Sequence, residues 1–138
     1  SILGRSDLSG MILGLTLQTK PEEIYRALLE SSVFGTRRIL EQMEQYGVEI
    51  EEIIACGGIA LKDEFMMQMF ADITNRPIRV CASTQGPALS MAMHASVAAG
   101  SKNGGYDTLA DAVKVMSKLT DHVYVPNEEY HNIYNKQY

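Results

Sequence analysis

Three short apolar runs, each followed by a stretch with helical spacing, constrain this chain more than any other feature of its sequence. Met11, Ile12, Leu13, Leu15 and Leu17 follow Gly10; Ile53-Ile54-Ala55-Cys56 is unbroken; Ile78 to Ala82 follows Pro77. Runs of this length predict strands, and an unbroken one predicts a strand covered on both faces. After the first run, Thr19 and Glu22 read as a capping box with Pro21 in the first turn. Ile24, Leu28, Ser31, Gly35, Ile39 and Gln42 or Met43 then recur on one helical face until Gly47. The small residues Ser31, Ser32 and Gly35 would let that helix lie close on a sheet.

After the second run, Asp63 predicts the N-cap of a helix carrying Met66, Met67, Phe70 and Ile73, with Asn75 as its stop. The third run leads through the polar break Ser83-Thr84-Gln85-Gly86 into a helix of small residues, Ala88 to Ala99, ended by Gly100. Asp107 and Asn127 cap two more helices, the first running to about Lys118. The order β-α-β-α-β-α-α-α predicts an α/β fold with a largely parallel sheet.

The 138 residues hold one domain, and an apolar fraction of 46% is enough for a core. A net charge of −5, with no basic cluster beyond Arg37-Arg38, argues against a nucleic-acid partner. No apolar run approaches the roughly 18 residues of a membrane span, and no signal peptide opens the chain. Cys56 and Cys81 each lie in an apolar stretch, and both read as buried, reduced thiols. Without a disulfide framework the expected setting is the cytoplasm.

No Walker A loop and no G-x-G-x-x-G occurs. His94, His122 and His131 lack neighbours at metal-ligand spacing, and His94 reads as a packing residue within its alanine-rich helix. Met66, Met67, Met69 and Phe70 read as core. Tyr130, Tyr134 and Tyr138 recur every four residues and form a docking stripe. The one chemical candidate is the turn at Gly57-Gly58. A buried strand ends there and a helix starts soon after, and ligands of open α/β sheets lie beyond the carboxyl ends of strands. Glycines at that point let backbone approach a flat or charged ligand, and the next helix start favours phosphate. A plain strand-end turn accounts for the same two glycines equally well.

Read together, several segments are more specific. Gly10-x-x-x-Gly14-Leu15-Thr16 is followed by Tyr25-Arg26-Ala27-Leu28-Leu29-Glu30 and Phe34-Gly35-Thr36-Arg37-Arg38. Ala55-Cys56-Gly57-Gly58, Ala71-Asp72-Ile73-Thr74-Asn75-Arg76-Pro77-Ile78 and Pro87-Ala88-Leu89 come next. This succession resembles the C-terminal part of the FGGY carbohydrate kinases, most of all the members that phosphorylate L-ribulose. Residues 28–100 carry the most specific part.

The resemblance implies a ribonuclease-H-like, actin-like C-terminal domain over residues 1–138, lacking that domain's first strands. It implies ATP and Mg²⁺ as cofactors, a ketopentose substrate, and an N-terminal kinase domain as the missing partner. Gly57, Gly58 and Lys62 match positions bordering the nucleotide, whereas the catalytic base and the phosphate loop lie outside the matching segment. Gly4-Arg5-Ser6-Asp7 only echoes the base motif, and Asp7 reads as a loop residue. Asp63 stands where the family usually has Asn, and Ser90 replaces a family glycine. Related kinases acting on xylulose, glycerol or gluconate, and a non-enzymatic actin-like assembly module, are the alternative readings. A strand at 11–17 without its neighbours would present an open edge, so self-association through it, or rearrangement of residues 1–9, is expected.

Overall fold

A computed structural model describes residue 7 and residues 9–138. The elements are α1 (Pro21–Gln45), β1 (Ile53–Ala55), α2 (Gly58–Lys62), α3 (Glu64–Thr74), β2 (Ile78–Cys81), α4 (Gly86–Ala99), α5 (Leu109–Met116), β3 (Leu119–Tyr124) and α6 (Glu128–Gln137). A short 3₁₀ turn, Ser101–Asn103, follows α4. The fold is α/β as expected, but its sheet is small and mixed. β1 and β2 run parallel with Ile53 opposite Ile78, Ile54 opposite Arg79 and Ala55 opposite Val80. β3 adds to the other side of β2 antiparallel, with an irregularity between Arg79 and Cys81.

Local chemistry explains most boundaries. Pro21 opens α1, and Glu23 Oε2 accepts the Lys20 backbone N–H at 2.8 Å, one residue on from the expected capping box. The expected cap Thr19 instead accepts the N–H of Thr16 through its hydroxyl. Asp63 caps α3 by accepting the Met66 N–H at 2.9 Å, and Asn75 ends that helix in the left-handed region at φ 54°. Thr108, rather than Asp107, caps α5. Asn127 caps α6 through bonds from the N–H groups of Glu129 and Tyr130.

The core lies between α3 and one face of the sheet, closed by α1 and α6. Ile73 and Val33 are fully buried, and Met66, Met67, Met69, Ile78, Val80 and Tyr134 pack with them. Each such side chain contributes roughly 1.5–3 kcal/mol relative to exposure. The methionine cluster is core, as its spacing suggests. The tyrosine stripe docks through two of its three rings: Tyr134 meets Phe34 edge-on, Tyr138 stacks on Phe34 at 5.6 Å, and Tyr130 remains exposed.

Four further expectations are corrected. Residues 10–17 form no strand; they run as irregular chain, with Gly14 at φ +81° and Met11, Leu13 and Leu17 exposed. A strand needs a ladder, and no described strand pairs with this segment, so self-association through a strand edge there has no strand to use. α1 turns a different face inward: Leu29, Val33 and Phe34 pack on the core, whereas Leu28, Ile39 and Met43 are exposed. α1 packs on α3 rather than on the sheet. Cys56 is exposed, because it follows the last paired residue of β1; Cys81 is buried, and both thiols are free. His94 is exposed on α4, whose packing partner is α5. Asp7 lies in a bend, while residues 1–6 and 8 fall outside the described residues.

Candidate functional site

Because β1 and β2 are parallel, their carboxyl ends lie at the same end of the sheet, and so do the connections that leave them. Two turns therefore sit side by side. The first is Gly57-Gly58, where Gly57 at φ 101° occupies a conformation that disfavours any side chain. Gly58 has ordinary helical geometry and starts α2, whose N-terminus no side chain caps. The second turn, Ala82 to Gln85, brings the start of α4 against Cys56. A Cβ added to Gly86 would lie 3.3 Å from Cys56 Cβ. Glycine at 86 leaves room for this close approach, which makes one continuous backbone rim at the sheet end.

The structure brings Gly57, Gly58 and Lys62 onto the same short connection. Gly58 and Lys62 are exposed and Gly57 is half-buried. Lys62 is the last residue of α2, where a positive charge suits the carbonyl end of a helix. Asp63 is committed to the α3 cap, so its carboxylate serves backbone at the position where the family pattern has an amide. Under the turn lies a cavity of about 270 Å³, lined by apolar groups of Ile53, Ala55, Ile59, Met66 and Phe70 together with Cys56. A larger one, about 370 Å³, separates Met11 to Leu15 from α1 and lies apart from the glycine turn.

The rim offers backbone and one lysine, with open space above both glycines. That combination suits a flat or polar ligand edge. No group of three His, Cys, Asp or Glu side chains converges among the described residues, so their donor set does not build a divalent-cation site. Sequence reasoning found the Gly57-Gly58 turn but read residues 83–86 only as a polar break. The signal for including Gly86 was present: it follows a second buried run, and Pro87 marks a helix start immediately after it.

Comparisons with known proteins bear directly on this arrangement. Residues 3–99 match the FGGY family of carbohydrate kinases, C-terminal domain. The ribulokinase of Halalkalibacterium halodurans is 56% identical over all of this chain, which covers 24% of that relative. The ribulokinase of Bacillus licheniformis is 51% identical, again over the whole chain and 25% of the relative. Among solved structures, a ligand-bound xylulose kinase from Lactobacillus acidophilus superposes with a TM-score of 0.73 at 27% identity, over 90% of this chain and 24% of that one. The chain thus spans about a quarter of the length of the curated relatives it matches. With the matched region running through α1, the glycine turn, α3, β2 and α4, the chain belongs to the FGGY family of carbohydrate kinases as C-terminal-domain sequence.

Proposed function

We propose that this chain is part of an ATP-dependent ketopentose kinase, and that the rim formed by Gly57, Gly58, Lys62 and Gly86 borders the nucleotide. The observation that carries the reading is the pairing of family membership with a two-turn backbone rim at the carboxyl end of the parallel pair. The parent enzyme would transfer the γ-phosphoryl group of ATP to a hydroxyl of L-ribulose. Relatives bearing that activity in their names are 47–56% identical over the whole chain, which favours L-ribulose over the substrates of other family members.

Within that reaction the residues here position rather than react. Glycine at 57 and 58 keeps the approach to the turn clear of Cβ atoms, so backbone can lie along the adenosine. Lys62, exposed and mobile on a four-carbon stem, supplies positive charge beside the nucleotide. A base for the sugar hydroxyl, the groups holding the phosphates and the Mg²⁺ site belong to the parent's remaining sequence, including an N-terminal kinase domain. Residues 1–138 form one part of a C-terminal domain. No helix among the described residues is long and apolar enough to cross a membrane, and the reading places the parent in the cytoplasm.

Two measurements test this. The isolated chain should give no L-ribulose-dependent ADP formation in a coupled assay, and turnover above background would contradict the assignment of chemistry to the remaining sequence. In the parent, Gly57→Ala should raise the KM for ATP while leaving the KM for the sugar unchanged. An unaltered KM for ATP would remove the glycine turn from the nucleotide site.

A further inference from the structure

The parallel register that aligns the two turns also aligns the two cysteines. Ala55, the last paired residue of β1, lies opposite Val80, so Cys56 and Cys81 are the residues that continue this register just past the ladder. Adjacent strands run about 4.8 Å apart, inside the roughly 4.4–6.8 Å window of Cα separations that a disulfide accepts. Residues opposite each other in a parallel pair share a face. Ile53, Ala55, Ile78 and Val80 point to the core, whereas Ile54 and the paired Arg79 are partly or well exposed on the other face. Alternation carries Cys81 to that second face, and Cys56, just past the strand, lies at the sheet end between the core-side cavity and the start of α4. Cys81 fits this: it is 8% exposed yet stands outside the core cluster. The start of α4 hems in the pair, since a Cβ at Gly86 would lie 3.6 Å from the Cys56 sulfur.

We infer that Cys56 and Cys81 form an intramolecular, redox-sensitive tie across the carboxyl ends of β1 and β2. The accessibility of the two thiols sets the order of events. The exposed Cys56 thiolate attacks a small disulfide such as oxidised glutathione. The bond from its sulfur to one glutathione forms, the glutathione S–S bond breaks, and one glutathione thiolate leaves. The buried Cys81 thiolate then attacks the Cys56 sulfur and expels the second glutathione. Two protein thiols are oxidised, one small disulfide is reduced to two thiols, and the protein's two protons end on the released glutathiones. The tie would fix the residue immediately before Gly57. Its effect on nucleotide binding rests on the proposed function, but its formation does not.

The test is to incubate the chain with oxidised glutathione and follow intact mass, free thiols by alkylation, and peptide linkage. The expected product is a monomer lighter by two hydrogens, with both alkylatable thiols lost and the Cys56 and Cys81 peptides joined. Cys81→Ser, having no resolving thiol, should instead accumulate a stable glutathione adduct on Cys56. Cys56→Ser should leave Cys81 unmodified, with circular dichroism confirming that each variant folds. The inference is overturned if the unsubstituted chain keeps the glutathione adduct on Cys56, links to a second chain, or retains both thiols. Reversal of the tie by dithiothreitol, followed by ADP titration of both forms of the parent, separates its existence from any role at the nucleotide.

Discussion

Asp72 Oδ1 accepts the backbone N–H of Asn127 at 2.8 Å, so a buried side chain on α3 fixes the start of α6. The same oxygen accepts Gln68 Nε2 at 2.8 Å, and the Asp72 carbonyl accepts His131 Nδ1–H at 2.8 Å. Two of these contacts join the two helices through one residue, and the third, from Gln68, holds the Asp72 carboxylate within α3. Asp72→Ala would leave the Asn127 N–H without its partner in a site that is 4% exposed at Asp72. An expected loss of about 1–3 kcal/mol should appear in urea unfolding. Asp72→Asn retains an acceptor and should cost less than half as much; equal losses would show that charge rather than geometry matters there.

The two glycines of the turn should respond differently to alanine. Gly57 is held at φ 101°, where a Cβ is strained, so Gly57→Ala should destabilise by about 1–2 kcal/mol. Gly58 lies in α2 with nothing within 4 Å of an added Cβ. Gly58→Ala should therefore be neutral or stabilising by up to about 1 kcal/mol. Thermal unfolding of the two variants measures the contrast directly.

A sharper contrast is expected between Gly105 and Gly35. A Cβ at Gly105 would sit 1.9 Å from the Ser96 carbonyl oxygen, which is backbone of α4 and cannot swing aside. Gly105→Ala should cost about 1–3 kcal/mol and loosen α4 from α5. Gly35 is inside α1 with open space around it, so Gly35→Ala should stabilise by about 0.5–1 kcal/mol. Chemical denaturation measures the pair, and a Gly105→Ala midpoint equal to that of the unsubstituted chain would contradict the approach of residue 105 to α4.

Acid sensitivity should concentrate at Glu41. Burial opposes its ionisation, but hydrogen bonds from Tyr138 and Arg37, with the nearby arginine charges, outweigh that and hold its carboxyl below the usual range. The Tyr138 hydroxyl donates at 2.7 Å, and the Arg37 guanidinium lies 4.2 Å from the Tyr138 ring centre. A carboxyl depressed in the folded state contributes stability above its unfolded pKa, and that contribution is lost as pH falls through the folded value. Tyr138→Phe removes one of the bonds favouring the ionised form. The Glu41 titration midpoint, followed by carbon-detected NMR, should therefore move up toward the ordinary carboxylate range, and the loss of stability should begin at higher pH. The phenol itself is raised, first by its bond to Glu41 and then by burial, so its share is present at neutral pH and lost in strong alkali.

What the sequence revealed tracks how local each determinant is. The Asp63 cap, the Asn75 stop, the Asn127 cap and the methionine core were all legible, because each depends on residues within a turn or two. β3 was not. Asp121 and His122 interrupt it, and what makes it a strand is pairing with β2, some forty residues earlier, plus the 4.4 Å edge contact of the His122 and Tyr124 rings. The reverse error occurred at 10–17, where a strand-like composition finds no described ladder. On α1, two apolar stripes exist, and periodicity alone gave no reason to prefer Leu29, Val33 and Phe34 over Leu28, Ile39 and Met43. At the candidate site, the Gly57-Gly58 turn followed from strand end and composition. Its neighbour Gly86 depended on β1 and β2 being parallel and adjacent, which is a tertiary fact.

Arg76 is a half-buried residue just past α3, and its guanidinium donates to three separate stretches of chain. Nε reaches the Ile50 carbonyl at 2.9 Å, Nη1 the Thr74 carbonyl at 2.6 Å, and Nη2 the Glu44 carboxylate. The end of α1, the lead into β1 and the end of α3 therefore share one fastening. Opening any of them exposes the other two, so their amides should exchange with solvent in a single concerted event of common free energy. Arg76→Met should split that event into three.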